Sequence, residues 1–236
     1  MRRAWPHRSD VPPLAGREVH VWSVDLLPDG VRGARWGGHL DSEERARMER
    51  FHGTRRRRGF AAAHGALREL LGAYLARDPS RLVFRAGSHG KPLLAGGDGL
   101  HFNLSHSGDR ALVAVTRAGE VGVDVERRRP IREADLVNVK TLSRTELVTV
   151  GLAEREQRSV RFLRVWTRKE AYLKAVGTGI ARPLGEIHVG IEGETIEITG
   201  EREPGWRLAD LDPHPEYCGA VAVPADCTNI LVFGYG

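Results

Sequence analysis

The sequence predicts an α+β fold, because each half contains long helical segments next to short, strand-like segments. Apolar side chains recur at helical spacing over residues 55–77 and again over residues 154–176. Glycine follows the second of these segments, and Asp78-Pro79 ends the first. Alternation typical of strands occurs at residues 19–26, 111–115 and 121–126 and from 187 to 233.

Local signals also place shorter elements between these segments. Asp41 or Ser42 can cap a helix with an acidic first turn that ends near Gly53. Ser143 and Glu146 have the spacing of a capping box, which predicts a second short helix. Residues 116–120 carry turn residues between two strands, so we expect those strands to form a hairpin.

The arrangement of elements predicts two lobes of similar composition. A boundary near residue 117 divides the chain into an N-terminal α+β lobe, 1–116, and a C-terminal α+β lobe, 117–236. No tandem repeat, low-complexity tract or long linker interrupts either lobe. The similarity between the two halves is weak at the level of sequence, so it suggests duplication without proving it.

Composition restricts the class of protein and its partners. The 236 residues are 41% hydrophobic, which is enough for a core, and no stretch approaches the roughly 20 apolar residues of a membrane helix. The basic N-terminus lacks an apolar segment after it, and the two cysteines read as reduced thiols, so we expect a soluble cytoplasmic protein. A net charge of +5 favours an acidic partner: nucleic acid, a phosphorylated small molecule or an acidic protein.

Two carboxylates lie on one face of the strand 121–126. Side chains alternate along a strand, so Asp124 and Glu126 share a face about 7 Å apart, opposite the valines of the same strand. Oxygen ligands at that spacing suit a hard cation. Gly122, on the same face, leaves room for another group to approach closely. An ordinary half-exposed strand with charged outward residues is the alternative interpretation.

A third carboxylate lies on the helix 154–176. Trp166, Glu170 and Lys174 are spaced four residues apart and therefore form one stripe. Glu170 and Lys174 could be a plain surface ion pair. Because the stripe also carries a tryptophan and borders apolar residues, a semi-buried Glu170 that needs a partner, such as a metal ion, is the other interpretation.

The remaining polar motifs suit contact with phosphate oxygens. Lys91 and Pro92 follow a glycine, and Asn103, Ser105 and His106 come about ten residues later, near another glycine. A Ser-His nucleophile is disfavoured, because adjacent residues point apart and no G-x-S-x-G elbow is present. The arginine run 55–58 suits either a solvated helix face or contact with phosphate or nucleic acid.

Taken in order, four motifs resemble those of the 4′-phosphopantetheinyl transferase superfamily. They are residues 90–92 (GKP), 102–107 (FNLSHS), 122–126 (GVDVE) and 166–174 (WTRKEAYLK). The resemblance is to the larger, surfactin-synthetase-activating type, which activates nonribosomal peptide and polyketide synthases. It implies a pseudo-dimer of two similar α+β lobes, with the active site in the cleft between them and a monomeric chain.

The resemblance also implies the roles of site residues. Asp124, Glu126 and Glu170 would hold Mg²⁺, or Mn²⁺ in its place, against the pyrophosphate of coenzyme A. Lys174 would contact the phosphates that take part in transfer. The coenzyme A nucleotide would be held by residues of the N-terminal lobe, namely Arg55, Lys91, Pro92, Asn103, Ser105 and His106.

The implied reaction is transfer of phosphopantetheine from coenzyme A to a serine of an apo acyl or peptidyl carrier protein, releasing 3′,5′-ADP. Glu170 is our hypothesis for the base that accepts the serine proton, directly or through a metal-bound water. Three alternatives remain. One is a metal-dependent coenzyme A or nucleotide pyrophosphohydrolase. The second is a relative that binds coenzyme A without transfer. The last is a basic nucleic-acid-binding protein, which no helix-turn-helix, zinc or RNP-like signature supports.

Overall fold

The computed structural model describes residues 5–87, 90–132, 141–177, 183–191, 197–198, 201–202 and 205–235. The helices of these residues are α1 (Gly30–His39), α2 (Ser42–Glu49), α3 (Thr54–Leu75), α4 (Arg144–Gly151) and α5 (Arg155–Val176). Strands of the first half are β1 (Glu18–Asp25), β2 (Phe84–Ala86), β3 (Pro92–Leu94), β4 (His101–Ser107) and β5 (Arg110–Thr116). Later strands are β6 (Gly122–Arg127), β7 (Ile187–His188), β8 (Glu197–Ile198), β9 (Glu201–Arg202), β10 (Trp206–Leu211), β11 (Tyr217–Pro224) and β12 (Asn229–Tyr235).

Two sheets form the centre of the molecule, so the α+β class is confirmed. The first sheet has the strand order β12-β1-β5-β4, and the second has the order β10-β11-β6. Pairing is antiparallel except between β1 and β12, which run parallel. The last strand therefore returns to the first sheet. Smaller sheets are made by β2 with β3 and by β7, β8 and β9.

Alternation along the strands gives each sheet two buried faces. On β1, Trp22 and Val24 pack with residues of α3, whereas Val19 and Val21 face the second sheet. On β6, Val123 and Val125 meet that inner layer, and the opposite face lies under α5. The two sheets thus pack against each other, with α3 on one outer face and α5 on the other. Among the described residues, no helix has the length and apolarity needed to cross a bilayer.

The predicted hairpin between β5 and β6 is wrong, although both strands exist. β5 pairs with β1 on one edge and with β4 on the other, so neither edge is left for β6. β6 pairs instead with β11 in the second sheet. The true hairpin joins β4 to β5 through Gly108 and Asp109, and Gly108 adopts the positive φ of 58° that such a tight turn needs.

Each 22-residue helix holds the short helix before it in the same way. Asp41 and Glu44 form a capping box at α2, and the buried guanidinium of Arg68 on α3 bonds to both carboxylates. Ser143 and Glu146 form the predicted capping box at α4, and the buried ammonium of Lys169 on α5 bonds to Glu146. Arg68 also donates to two backbone carbonyls, and so does Lys169.

The helix α1 was not predicted from the sequence, and neither was the short strand β3. The helix begins after Asp29, whose side chain accepts a hydrogen bond from the Arg32 amide. Its sequence contains several glycines, which are poor helix formers. Tertiary contacts hold it: Trp36 is fully buried and donates its indole N–H to Glu69 of α3.

Candidate functional site

The carboxylate of Asp124 lies where β4, β6 and α5 meet. Its Oδ1 accepts hydrogen bonds from Ser105 Oγ at 2.7 Å and from Lys174 Nζ at 2.6 Å. Its Oδ2 is buried and has no hydrogen-bond partner among the described residues. Gly122 makes this approach of α5 possible, because a Cβ there would lie 2.0 Å from the Ala171 carbonyl oxygen. Asp124 is thus a buried carboxylate in which one oxygen is hydrogen-bonded and the other is not.

Glu126 and Glu170 lie close enough to Asp124 to be affected by its charge. Burial raises the pKa of Glu170, and the negative charges of Asp124 and Glu126 raise it further. Burial likewise raises the pKa of Glu126, with Asp124 adding to the effect while Ser107 opposes it. Glu170 Oε1 is buried and has no hydrogen-bond partner among the described residues. The three carboxylates are therefore close enough to influence one another electrostatically, and one ammonium, that of Lys174, bonds to Asp124.

This arrangement fits a divalent cation. Within the described parts of the chain, no three His, Cys, Asp or Glu side chains are already positioned as a complete ligand set. Mg²⁺ does not require one, since it commonly takes one or two protein carboxylates and fills its octahedron with water and substrate phosphates. Asp124 Oδ2 and Glu170 Oε1, which have no hydrogen-bond partner among the described residues, are the oxygens that could accept a further partner. Asp124, Glu126 and Glu170 are the residues that would hold such a cation.

Polar side chains of β4 fix the position of β6. Asn103 Oδ1 accepts the Val123 amide at 2.9 Å, and Ser107 Oγ donates to Glu126 at 2.8 Å while it accepts the Arg127 amide. Residue numbers increase together along β4 and β6 in these contacts, so the two strands run in the same direction. Asn103 and Ser107 therefore hold the carboxylate strand in place, a role that the sequence did not reveal for either residue.

His106 lies on the other face of β4, between two basic groups of side chains. Partial burial lowers its pKa, and the nearby positive charges of His64, Lys174 and Arg47 lower it further. His64 and Arg47 come from α3 and α2, whereas Lys174 comes from α5. His106 thus lies within electrostatic range of Lys174 on α5 and of Arg47 and His64 on the helices of the first half.

A cavity of about 190 Å³, here called the α3 cavity, opens on the far side of His64. Its apolar lining includes Leu67, Phe84 and Leu104, and Pro92 contributes to its edge. Basic side chains also line it, namely Arg47, His64 and Arg85. Three carboxylates are present as well: Asp41 and Glu44 bond to Arg68, Glu44 also lies 3.0 Å from His64, and Glu43 is the third.

A second cavity, here called the α5 cavity, opens on the other side of the carboxylates. It has a volume of about 240 Å³ and is lined by Glu126 and Arg129 together with apolar side chains. The apolar residues are Ile131, Phe162, Leu163 and Trp166. Trp166, which lies one helical turn before Glu170 on the predicted stripe, lines this cavity.

Besides Asn103 and Ser105, two further residues predicted to hold the nucleotide bond to other groups of the protein. The ammonium of Lys91 bonds to Glu120, to the Val121 carbonyl and to the Ala175 carbonyl at the end of α5. From Val121 to Glu126 the strand spans about 16 Å, so Lys91 lies toward the far end of β6 from Glu126. Arg55 is exposed and forms a salt bridge with Asp109 in the β4–β5 turn.

The structure therefore brings together Asp124, Glu126, Glu170, Lys174 and Ser105, with His106 beside them. Pro92 lines the α3 cavity, whereas Lys91 and Arg55 contact other groups. Sequence reasoning gave no individual role to His64 or Ser107, and it counted Arg47 only among the arginines of 45–58 that could contact phosphate. The only signal for His64 was its position four residues after Phe60, on whose ring it stacks.

Comparison with known proteins agrees with the sequence motifs. The family model described as the 4′-phosphopantetheinyl transferase superfamily matches residues 120–222. The chain is 36% identical to the 4′-phosphopantetheinyl transferase HetI of a Nostoc species, over 94% of each chain. It is 28% identical to the 4′-phosphopantetheinyl transferase Sfp of Bacillus subtilis, over 81% of this chain and 92% of the relative. A phosphopantetheinyl transferase of a Thraustochytrium species is 30% identical over 90% of this chain and 80% of the relative.

Proposed function

The chain belongs to the 4′-phosphopantetheinyl transferase superfamily and transfers phosphopantetheine to carrier proteins, and we propose that it does so by a Mg²⁺-dependent reaction of coenzyme A that releases 3′,5′-ADP. One observation carries the details: the order of features across the site. Shared residues link the features in turn: Arg47 and His64 line the α3 cavity and act on His106, Lys174 acts on His106 and bonds to Asp124, and Glu126 lines the α5 cavity. Coenzyme A has the same order of parts, from adenosine with its 3′-phosphate, through the diphosphate, to the pantetheine arm.

In this proposal the α3 cavity holds the adenosine end. The apolar side chains of Leu67, Phe84 and Leu104 suit a base, and the positive side chains of Arg47 and His64 suit the 3′-phosphate. His106 and Lys174 then face the diphosphate. Ser105 acts indirectly in this arrangement, because its hydroxyl bonds to both Lys174 and Asp124 and so sets their relative position.

The carboxylates supply the metal site. Asp124, Glu126 and Glu170 would hold Mg²⁺ against the diphosphate, and the bound ion would stabilise negative charge on the phosphate oxygens during transfer. The carrier serine oxygen forms a bond to the β-phosphorus of coenzyme A, and the bond from that phosphorus to the bridging oxygen breaks. Lys174 Nζ bonds at present to Asp124, and its ammonium is placed to stabilise the charge that develops on the leaving 3′,5′-ADP.

Glu170 is the proposed acceptor of the serine proton. Its raised pKa reflects burial beside two other carboxylates, which makes the group a better proton acceptor than an exposed glutamate. Oε1, which has no partner among the described residues, is the atom available to a hydroxyl. Because Glu170 would both face the cation and accept a proton, one of its two oxygens would face the metal and the other, Oε1, would accept the proton.

The α5 cavity is the proposed place of the pantetheine arm. Phe162, Leu163 and Trp166 offer an apolar surface directly beside Glu126. The arm carries a gem-dimethyl group and methylene groups, which such a surface binds by burial. The carrier serine must approach from this side. The net charge of +5 suits docking of an acidic carrier.

The equivalence of the two helix pairs supports a pseudo-dimer. Glu44 with Arg68 and Glu146 with Lys169 repeat one arrangement of short helix, long helix and buried cation. We therefore propose two similar lobes, 1–116 and 117–236, with the site in the cleft between them and a monomeric chain. The strand β12 belongs by pairing to the sheet of the first lobe, so residues 229–235 would cross back to it.

A direct test is to incubate the protein with coenzyme A, Mg²⁺ and a panel of apo carrier domains and to weigh the carriers by intact-protein mass spectrometry. We expect the mass of one phosphopantetheine to be added to a carrier serine. EDTA and Asp124→Ala should each abolish the addition, and 3′,5′-ADP should appear in equal amount. Cleavage of coenzyme A without a carrier would favour the pyrophosphohydrolase instead.

A further inference from the structure

A third cavity lies at the edge of the first sheet away from the site, and it is here called the α1 cavity. Its volume is about 420 Å³, larger than either the α3 or the α5 cavity. The N-terminal segment, α1, α3 and the end of β12 form its walls. The side chains that the argument uses are His7, Arg8, Arg32, Arg35, Glu69 and Tyr235.

This cavity is separate from the transfer site. In the first sheet, β12 is the edge strand on one side and β4 is the edge strand on the other. Three strand spacings separate them, which is about 14 Å. The carboxylate cluster lies beyond β4 and the α1 cavity lies outside β12, so a ligand of ordinary size cannot occupy both.

The single carboxylate among the residues lining the α1 cavity is already saturated with donors. Glu69 accepts hydrogen bonds from Arg35 at 2.9 Å, from the Trp36 indole at 3.1 Å and from the hydroxyl of Tyr235. His39 lies 3.3 Å from the same carboxylate. The carboxylate of Glu69 thus links α1 and β12 to α3, and its existing partners already balance its charge.

Arg8 and Arg32 therefore contribute positive charge that no ion pair within the described part of the chain neutralises. Neither guanidinium forms an ion pair with a carboxylate among the described residues; Arg8 lies over the ring of Phe233 and Arg32 over the ring of Trp36. The backbone amide of Arg8 donates to the Gly234 carbonyl, which fixes the N-terminal segment along β12. Two cationic side chains from different elements thus converge on one concavity, where their positive potentials add.

We propose that the α1 cavity is a binding site for a small polyanion, a molecule that carries at least two phosphate or carboxylate charges. Guanidinium groups from two directions suit such a ligand, since each can donate two hydrogen bonds to one phosphate or carboxylate. The concave volume is in the range that small molecules occupy, whereas a flat basic surface would suit a macromolecule. The imidazole of His7 adds a further donor at the rim.

The experiment uses inorganic pyrophosphate and citrate as probes, with protein and buffer freed of metal on a chelating resin and no soluble chelator present, so that no metal can carry a probe to the carboxylates of the transfer site. Isothermal titration measures the affinity of the wild-type chain, of Arg8→Gln/Arg32→Gln and of the exposed control Arg81→Gln. We expect one site per chain, at least tenfold weaker binding in the double variant and unchanged binding in the control. Arg32→Lys keeps the positive charge but loses the paired N–H donors of the guanidinium, so its affinity should lie between those of the wild-type chain and the double variant.

The possible results of the titrations distinguish a binding site at the α1 cavity from binding of the probe elsewhere. Binding of both probes supports a site that recognises charge, and binding of pyrophosphate alone supports a phosphate site. Equal affinity in the wild-type chain and the double variant would mean that the probe binds elsewhere, and no binding would mean that there is no such site; either overturns the proposal. A double variant that keeps probe binding but transfers more slowly to a carrier would identify a carrier contact and would also overturn it. Thermal unfolding of each variant checks that the fold is intact.

Discussion

The ammonium of Lys169 lies 2.6 Å from the carboxylate of Glu146, and both side chains are almost completely buried, with exposed fractions of 0% and 1%. Five residues further along the same helix, Lys174 contacts Asp124 with an exposed fraction of 29%. Two lysines of one motif therefore have different surroundings. The first joins α5 to α4, and the second faces the proposed transfer site.

Lys169→Ala should destabilise the protein strongly. The substitution leaves Glu146 buried without its cation, which typically costs about 3–5 kcal/mol. Urea unfolding measures the loss. The double variant Lys169→Met/Glu146→Gln should recover part of it, because no uncompensated charge then remains. An alanine variant of normal stability that lacks transfer activity would show instead that Lys169 takes part in the chemistry.

Lys174→Ala should act mainly on activity. If its ammonium stabilises the leaving phosphate, its loss should lower kcat/KM about 10²-fold or more, as removal of one such donor does elsewhere. The loss of stability should be smaller than for Lys169→Ala, because Lys174 is partly exposed. Lys174→Arg should keep a measurable part of the rate. Near-normal kcat/KM in the alanine variant would remove Lys174 from the proposed mechanism.

Glu170→Gln should separate metal binding from folding. Without metal, the change removes one of three mutually repelling carboxylates, so the melting temperature in EDTA should rise by about 2–4 °C, the shift that about 1 kcal/mol produces at this chain length. Added Mg²⁺ should stabilise the wild-type chain, because a ligand that binds only the folded state raises its stability. The variant should gain less and should transfer no phosphopantetheine. Equal Mg²⁺ stabilisation of both would exclude Glu170 as a ligand.

Gly122→Ala should disturb the site through the helix that it contacts. The new Cβ would lie 2.0 Å from the Ala171 oxygen and 2.4 Å from the Ala175 nitrogen, so α5 must move away from β6. We expect a loss of about 3 kcal/mol or more in unfolding free energy, together with reduced kcat. Gly59→Ala is the matched control. It lies within α3 with nothing near its added methyl, and it should stabilise the protein by about 0.5–1 kcal/mol.

Local patterns predicted much of the fold, because caps and periodicity are local properties. The capping boxes begun by Asp41 and Ser143 and the two long helices could be predicted in this way. Strand partners could not, since they depend on which edges other strands have already occupied, as the incorrect β5–β6 hairpin shows. The helix around Trp36 was missed because distant contacts with Glu69 outweigh its poor helix formers.

The same distinction applies to the site. Alternation along β6 and the helical spacing of α5 place Asp124, Glu126 and Glu170 on matching faces, which the sequence indicates directly. The contribution of His64 and the contact of Lys91 with Glu120 depend on how distant segments pack. Neither has a local signature. Residue type suggested a phosphate contact for Lys91, but its ammonium is held by three oxygen atoms at the far end of β6.

His20 should make the stability of the protein fall in mild acid. Its ring is fully buried, and burial lowers its pKa despite the opposing charge of Glu18. Below the unfolded value of 6.5, the unfolded chain therefore binds a proton that the folded chain does not, so stability is full above this pH and decreases as the pH falls. His20→Phe keeps an aromatic ring beside Phe233 and should reduce the difference in melting temperature between pH 7.5 and pH 5.5. Exposed His52→Ala should leave that difference unchanged, and an equal decrease in all three proteins would mean that other groups cause it.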